Sequence, residues 1–359
     1  MQDMRWDTQA PTATDEAALP GLTRIAGLVR SVEAPEFAGV TFHEVLAKSA
    51  LNRVPDASSM PFRWTVNPWR GCTHACFYCY ARGSHAWLDL GVGTDFDTRI
   101  VVKTNVGEVL RRELARPSWR REAVALGTNT DPYQRAEGRY RLMPAIIDAL
   151  AASGTPFSIL TKGTLMRRDL ALLEAAAGQV SVGLGVSLAI LDRELHESLE
   201  PGTPSPRARL DLVREITDRG LSGGVFVAPV LPMLTDTVDH LDRLLAELAT
   251  AGATGVTVLP LHLRKGAREW YFSWLRGNRP DLVAGYERLY ARGAYAPDSY
   301  QRMLRERVRP LLAGHGFARA PTRRVDPRTD EGGYPAGSMP PGAVEADGVC
   351  DSARTPTLF

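Results

Sequence analysis

Cysteine is scarce in this chain, with four in 359 residues. So few exclude a small secreted fold stapled by disulfides. An excess of one charge is also missing. Forty-three basic residues face 41 acidic ones, for a net charge of +2, so no global field demands a polyanionic partner. Long apolar runs are absent too. None approaches the roughly 18 residues that a membrane span needs, and no membrane partner is expected. The opening MQDMRWDTQAPTATDEAALP lacks the basic start and apolar stretch of a secretory signal. The expected location is the cytoplasm, where thiols stay reduced. Apolar residues at 44% and charged residues at 23% are ordinary for a globular protein. The length suits one large α/β domain.

What is present is concentrated. Three of the four cysteines, Cys72, Cys76 and Cys79, fall within GCTHACFYCYARGS, residues 71–84. The fourth, Cys350, is near the far end. A strand-like segment, FRWTVNPWRG, precedes the cluster. Five β-rich apolar runs follow it: AVALGTN, PFSILTK, VSVGLGVSL, GGVFVAPVL and GVTVLPLHL. Near-continuous runs of this kind suit strands covered on both faces. Between them lie helical candidates: NVGEVLRRELAR, RLMPAIIDALAAS, LMRRDLALLEAAA, RARLDLVREITDRG and DTVDHLDRLLAELATAG. Gly220 and Gly252 suit helix stops.

Strand and helix alternate, which predicts βα units and a parallel sheet. Six units give an α/β fold with a partial, open (βα)6 barrel of the TIM type, short of the eight that close one. The expected divisions are an irregular N-terminal extension over 1–60 and a core over 61–265. A helical region over 266–319 and a flexible tail over 320–359 follow. The extension holds one expected short helix, FHEVLAKSAL.

Three thiols on one loop are poorly explained as buried small hydrophobes. Zinc needs a fourth ligand, for which His74 and His85 are candidates. A redox pair would use Cys76 and Cys79 and leave Cys72 unexplained. A four-iron cluster held by protein alone takes four thiolates. Three leave one iron open, and an open metal position suits a substrate or cofactor.

Cys72-Thr-His-Ala-Cys76-Phe-Tyr-Cys79 matches a CxxxCxφC pattern with Tyr78 as the aromatic. In this it resembles the radical S-adenosylmethionine (SAM) enzymes. NPWRGCTHACFYCYAR, GTNTDPYQRAEGRYRL, ILTKGTLMRRDLALL, SLEPGTPSPRARL and APVLPMLTD resemble the spore photoproduct lyase-like branch, over roughly residues 50–265. The resemblance implies a radical SAM barrel. It also implies a [4Fe–4S] cluster on Cys72, Cys76 and Cys79, and SAM on the open iron. It implies an electron donor of flavodoxin or ferredoxin type, reductive cleavage of SAM to a 5′-deoxyadenosyl radical, and a DNA-repair-like, lyase-like reaction.

Site roles follow from the same resemblance. Thr128, Asn129, Thr130 and Asp131 take the place of the motif for the SAM amino group. Lys162 would pair with the SAM carboxylate, and Ser187 would bond ribose or carboxylate. Tyr78 would lie near adenine. Tyr78 and Tyr80 match the tyrosines that assist hydrogen return in photoproduct lyases. Thr128 stands where those enzymes carry their hydrogen-donor cysteine, which argues against repair of spore photoproduct by that route. Cys350 is a distant alternative donor.

Nucleic acid is a candidate partner. LRRELARPSWRRE, LMRRDL, QRMLRERVRP and ARAPTRRVDPR are arginine-rich, and Trp119 and Tyr300 are aromatics able to stack on bases. The terminal TPTLF resembles the end of sliding-clamp-binding peptides, through Leu358 and Phe359. WYFSWLRGNRPDLVAGYERLY, residues 270–290, reads first as two helices packing aromatics on the core. Radical modification of a peptide, RNA or small metabolite stays open, as does a non-catalytic iron–sulfur redox sensor.

Overall fold

All six apolar runs before and after the cysteines enter one sheet. The computed structural model describes residues 27–55 and 62–317. Its strands are β1 (Leu28–Glu33), β2 (Thr41–Val45), β3 (Leu51–Arg53), β4 (Trp64–Val66), β5 (Trp69–Arg70), β6 (Arg99–Lys103), β7 (Val124–Leu126), β8 (Phe157–Thr161), β9 (Val182–Ser187), β10 (Gly223–Val230) and β11 (Gly255–Pro260). The larger sheet has the order β11-β10-β9-β8-β7-β4-β3. β4, β7, β8, β9, β10 and β11 run parallel, and β3 joins β4 antiparallel at the edge. Six parallel strands are the expected number. The sheet stays open, with β3 and β11 as its edges.

Helices α1 (Thr94–Thr98), α2 (Val106–Leu114), α3 (Glu137–Tyr140) and α4 (Met143–Ala152) precede β8. α5 (Leu170–Ala177) follows it, α6 (Arg193–Leu199) and α7 (Pro206–Asp218) link β9 to β10, and α8 (Val238–Thr250) links β10 to β11. The local chemistry explains the boundaries. Ser205 caps α7 through Ala208 N, with Pro206 in its first turn. Thr237 caps α8 through His240 N. Gly220 and Gly252, at φ +73° and +79°, follow the ends of α7 and α8. The core lies between helices and sheet, with Phe157, Ile159, Leu184, Val186, Val225 and Val227 buried.

The segment before the cysteines differs from expectation. FHEVLAKSAL is not a helix; its first residues form β2, and it ends at the start of β3. Phe42, Val45 and Leu46 are spaced three and four apart, which imitates a helical face. β2 instead lies between β1 and β6, and those two strands satisfy its backbone. The smaller sheet, β1-β2-β6-β5, therefore gives an ordered structure to part of a region expected to be irregular. The expected tail over 320–359, with Cys350, Leu358 and Phe359, lies outside the described residues.

After β11 come α9 (Ala267–Asn278), α10 (Val283–Leu289) and α11 (Asp298–Gly314). Tyr271, Phe272, Trp274, Tyr286 and Tyr290 are buried, so α9 and α10 pack their aromatics inward. The segment after β11 also meets the cysteine loop. A Cβ on Gly266 would stand 3.3 Å from the Gly83 Cα, and Trp270 stacks on Phe77 at 5.5 Å and 9°.

Candidate active site

The cysteine loop leaves β5 at Gly71, whose φ of +80° and lack of a side chain let it pass between Ile100 and the Phe96 and Arg99 carbonyls. Cys72 N–H then bonds the Phe96 carbonyl at 2.9 Å. Gln134 spans the loop's start: its Oε1 accepts from Thr73 N at 2.8 Å, and its Nε2 donates to Gly71 O at 3.1 Å. Arg82 supports the loop's end. Fully buried, it donates to Cys76 O at 3.0 Å and Gly93 O at 2.8 Å, and grips both oxygens of Asp97. Trp270 lies against its guanidinium at 5.0 Å.

Cys72, Cys76 and Cys79 are all free thiols, the first two buried. Burial pushes all three thiols up. Nearby Asp131 adds to this at Cys72, and Glu200 at Cys76, where Lys162 opposes it. Such a thiol set gives up its protons to a bound metal. Among the described residues no three His, Cys, Asp or Glu groups could hold a metal ion. Cysteine thiolates are the ligands that iron–sulfur clusters take, and three stand free on this one loop. The donor chemistry therefore fits a cluster. His74 instead pairs with Asp131 at 3.3 Å, and His85 bonds the Arg99 carbonyl at 2.9 Å.

Beside the loop, the ends of β8 and β9 bring Lys162 and Ser187 together. Lys162 Nζ donates to Ser187 Oγ at 2.8 Å and lies 3.2 Å from Glu200 Oε1. It also stands 5.6 Å from the centre of the Tyr78 ring. Tyr78, buried, donates its hydroxyl to Glu200. Burial brings the Lys162 pKa down to about 8. Of its three donors, two face these protein oxygens, and an incoming carboxylate can take the third.

The turn after β7 divides by residue. Asp131 Oδ1 accepts from Thr161 Oγ1 at 2.5 Å and Tyr133 N at 2.9 Å. Its Oδ2 accepts from Lys162 N at 2.6 Å and faces His74. Burial pushes its carboxyl up, but His74 and these donors outweigh that and hold it below its ordinary value. Both oxygens are thus engaged inside the protein. Thr130 turns back to the Trp69 carbonyl at 3.0 Å. Thr128 accepts at its carbonyl from the Tyr80 hydroxyl. Asn129 is half-buried in the same turn. Tyr80 is 41% exposed, with the Arg264 guanidinium 6.0 Å from its ring. Two expected stacking residues are placed elsewhere. Trp119 packs on Trp64 and donates to Thr155, and Tyr300 donates to Asp236.

The family model for the Radical SAM superfamily matches residues 66–248, half of the chain. The chain belongs to the radical SAM superfamily. An uncharacterized protein of Mycobacterium tuberculosis is 63% identical to this radical SAM protein over 319 residues, 88% of this chain and 94% of the relative. A radical SAM Nalpha-GlyT isomerase of Pseudomonas phage M6 is 28% identical over 198 residues, covering 54% and 38% of the two chains. The fold is similar to that of a spore photoproduct lyase complexed with dinucleoside spore photoproduct. That match has a TM-score of 0.59 and 17% identity, and covers 76% of this chain and 79% of the other. Membership makes the protein an enzyme and implies SAM and an iron–sulfur cluster as its cofactors.

Glu200, Arg209, Gln134 and Arg82 were not singled out in the sequence. The first two lie in SLEPGTPSPRARL, whose acid and base within a Pro-rich turn were the available signal. Arg82 and Gln134 carried none, since each serves backbone groups that only the folded loop presents.

Proposed function

We propose that this radical SAM enzyme holds one [4Fe–4S] cluster through Cys72, Cys76 and Cys79, cleaves SAM reductively, and acts on a nucleic-acid-linked substrate. When bound and reduced, such a cluster supplies the electron that breaks the C5′–S bond of SAM, giving methionine and a 5′-deoxyadenosyl radical. One observation carries the reading. A lysine with a donor to spare stands beside the cysteine loop at the carboxyl ends of the parallel strands, where α/β folds of this type bind ligands.

Lys162 receives the SAM carboxylate, and Ser187, which now donates to the Ala228 carbonyl, turns its hydroxyl to the ribose or the carboxylate. The side-chain carbonyl of Asn129 accepts from the SAM amino group, while Asp131 braces the turn. Tyr78 flanks the adenine. Tyr80 is the aromatic exposed at the mouth, and with Arg264 it suits stacking on a base. The substrate class rests on this pair and on the dinucleoside named with the structurally similar lyase. Thr128 carries no thiol, so the hydrogen donor differs from that of photoproduct lyases. The electron comes from a flavodoxin- or ferredoxin-type donor in the cytoplasm. Among the described residues no helix is long and apolar enough to cross a membrane.

The test is anaerobic reconstitution, reduction, and measurement of 5′-deoxyadenosine formed from SAM. Formation is expected in the wild type and lost in Cys76→Ala. A cluster without SAM binding would instead support the redox sensor. UV-irradiated thymine-containing DNA is the first substrate to try; unchanged turnover with it would turn the search to peptides and small metabolites.

A further inference from the structure

Glu200 has no part in the reading above, yet it is 0% exposed. Burying a carboxylate is costly unless its charge is paired and its lone pairs are bonded. Here the two oxygens face different ways. Oε2 faces fixed scaffold: Arg209 Nη2 at 2.5 Å and Thr203 Oγ1 at 3.2 Å. Arg209 is itself fully buried and tied to the Pro204 carbonyl at 3.0 Å and the Ser187 carbonyl at 2.9 Å. Oε1 faces the site, receiving the Tyr78 hydroxyl and standing 3.2 Å from Lys162 Nζ.

The Arg209 pair alone would neutralise the buried charge. The second oxygen instead holds two groups of the proposed SAM site. Lysine is a flexible point charge that loses much rotamer freedom when ordered. Glu200 and Ser187 together fix its direction. Arg209 faces the other Glu200 oxygen, so Lys162 keeps a donor for an incoming carboxylate. The segment around Glu200 also grips the cysteine loop. Phe77 N–H bonds the Leu199 carbonyl at 3.0 Å, and Gly202 N–H bonds the His74 carbonyl at 3.1 Å.

We propose that Glu200 is a positioning residue that aims the Lys162 ammonium at the SAM carboxylate and, through Tyr78, ties that lysine to the cysteine loop. This rests on the SAM site proposed above.

Glu200→Asp keeps the charge that Arg209 needs and withdraws the carboxylate by one methylene. The full chain, with its cluster reconstituted, would be assayed for binding of labelled SAM by equilibrium dialysis. Iron per chain and Tm would be measured alongside. The expected result is a Kd for SAM at least tenfold higher, with iron content and Tm close to wild type. Glu200→Asp combined with Lys162→Met is expected to bind no more weakly than Lys162→Met alone, because the glutamate acts through the lysine. Wild-type affinity in Glu200→Asp, or losses that add in the double variant, would overturn the proposal. Should Glu200→Asp not fold, Tyr78→Phe removes one Oε1 bond and leaves the Arg209 pair intact. Its cycle with Lys162→Met carries the same two readings. A wild-type protein that binds no SAM would sink the proposed function; normal binding with an unaffected Glu200→Asp would sink only the positioning role.

Discussion

At the scale of single residues, the site depends on backbones that come too close for side chains. Gly202 is the sharpest case: a Cβ there would stand 2.1 Å from the Thr73 carbonyl oxygen and 3.0 Å from the His74 Cα. Neither neighbour is a side chain that can swing away, so Gly202→Ala must displace the cysteine loop or the segment that carries Glu200. Iron bound per chain after reconstitution is expected to fall by more than half. Gly277 is the matched control, since nothing lies within 4 Å of its Cβ position in α9. Gly277→Ala is expected to bind iron normally and to gain about 0.5–1 kcal/mol, the helix-propensity difference. Equal iron content in the two variants would show that the close approach is not what shapes the loop. Lys162→Met belongs to this scale as well. It removes the ammonium and keeps the length of the side chain, so SAM binding measured by dialysis is expected to weaken at least tenfold while iron content holds.

At the scale of elements, the cysteine loop has no helix or strand between β5 and the 3-10 helix Tyr80–Leu88, and borrowed side chains order it instead. Gln134 satisfies one donor and one acceptor near the start of the loop. Gln134→Ala leaves the Thr73 N–H and Gly71 C=O without these partners in a buried setting, at a cost of about 1–3 kcal/mol for each orphaned group. A lower Tm and faster proteolysis of the cluster-free protein within residues 71–84 are the expected results. An unchanged Tm would mean that water replaces the side chain. The same scale explains why β2 misled sequence reasoning. Its apolar residues are spaced as on a helix, but it lies between two strands from elsewhere in the chain. Local spacing cannot report such partners. The parallel strands were legible because burial on both faces imposes continuous apolar runs.

At the scale of the whole molecule, buried histidines set the response to acid. Burial lowers the pKa of His85, His196 and His262 to about 4 in each case. Unfolding returns each to about 6.5. The unfolded state therefore binds more protons between these values, and stability falls as pH drops through the window. Each histidine contributes a slope of about 1.4 kcal/mol per pH unit at most. Asp97 acts in the opposite sense, because burial raises its carboxyl to about 6 and favours the fold as pH falls. Burial also lowers His43 and His240 and raises Glu137, so five histidines against two carboxyls predict a Tm that declines from pH 6.5 towards pH 4.5. Thermal melts of the cluster-free protein across that range check it, and a flat or rising Tm would refute it.

By itself the sequence determined the cysteine motif of the family and the six parallel strands. Three cysteines at fixed spacing and six apolar runs are local features, and local features survive in a linear string. Lys162 and Ser187 each stand at the end of a run, but only the family resemblance singled them out. The tertiary structure alone decided what surrounds them. Tyr78 and Glu200 are 122 residues apart, and Gln134 meets Thr73 across 61. Neither pairing leaves a period or composition to read. A buried carboxylate shared between a scaffold arginine and a site lysine exists only once β8, β9 and the cysteine loop have come together, because only then is water excluded from all of its partners.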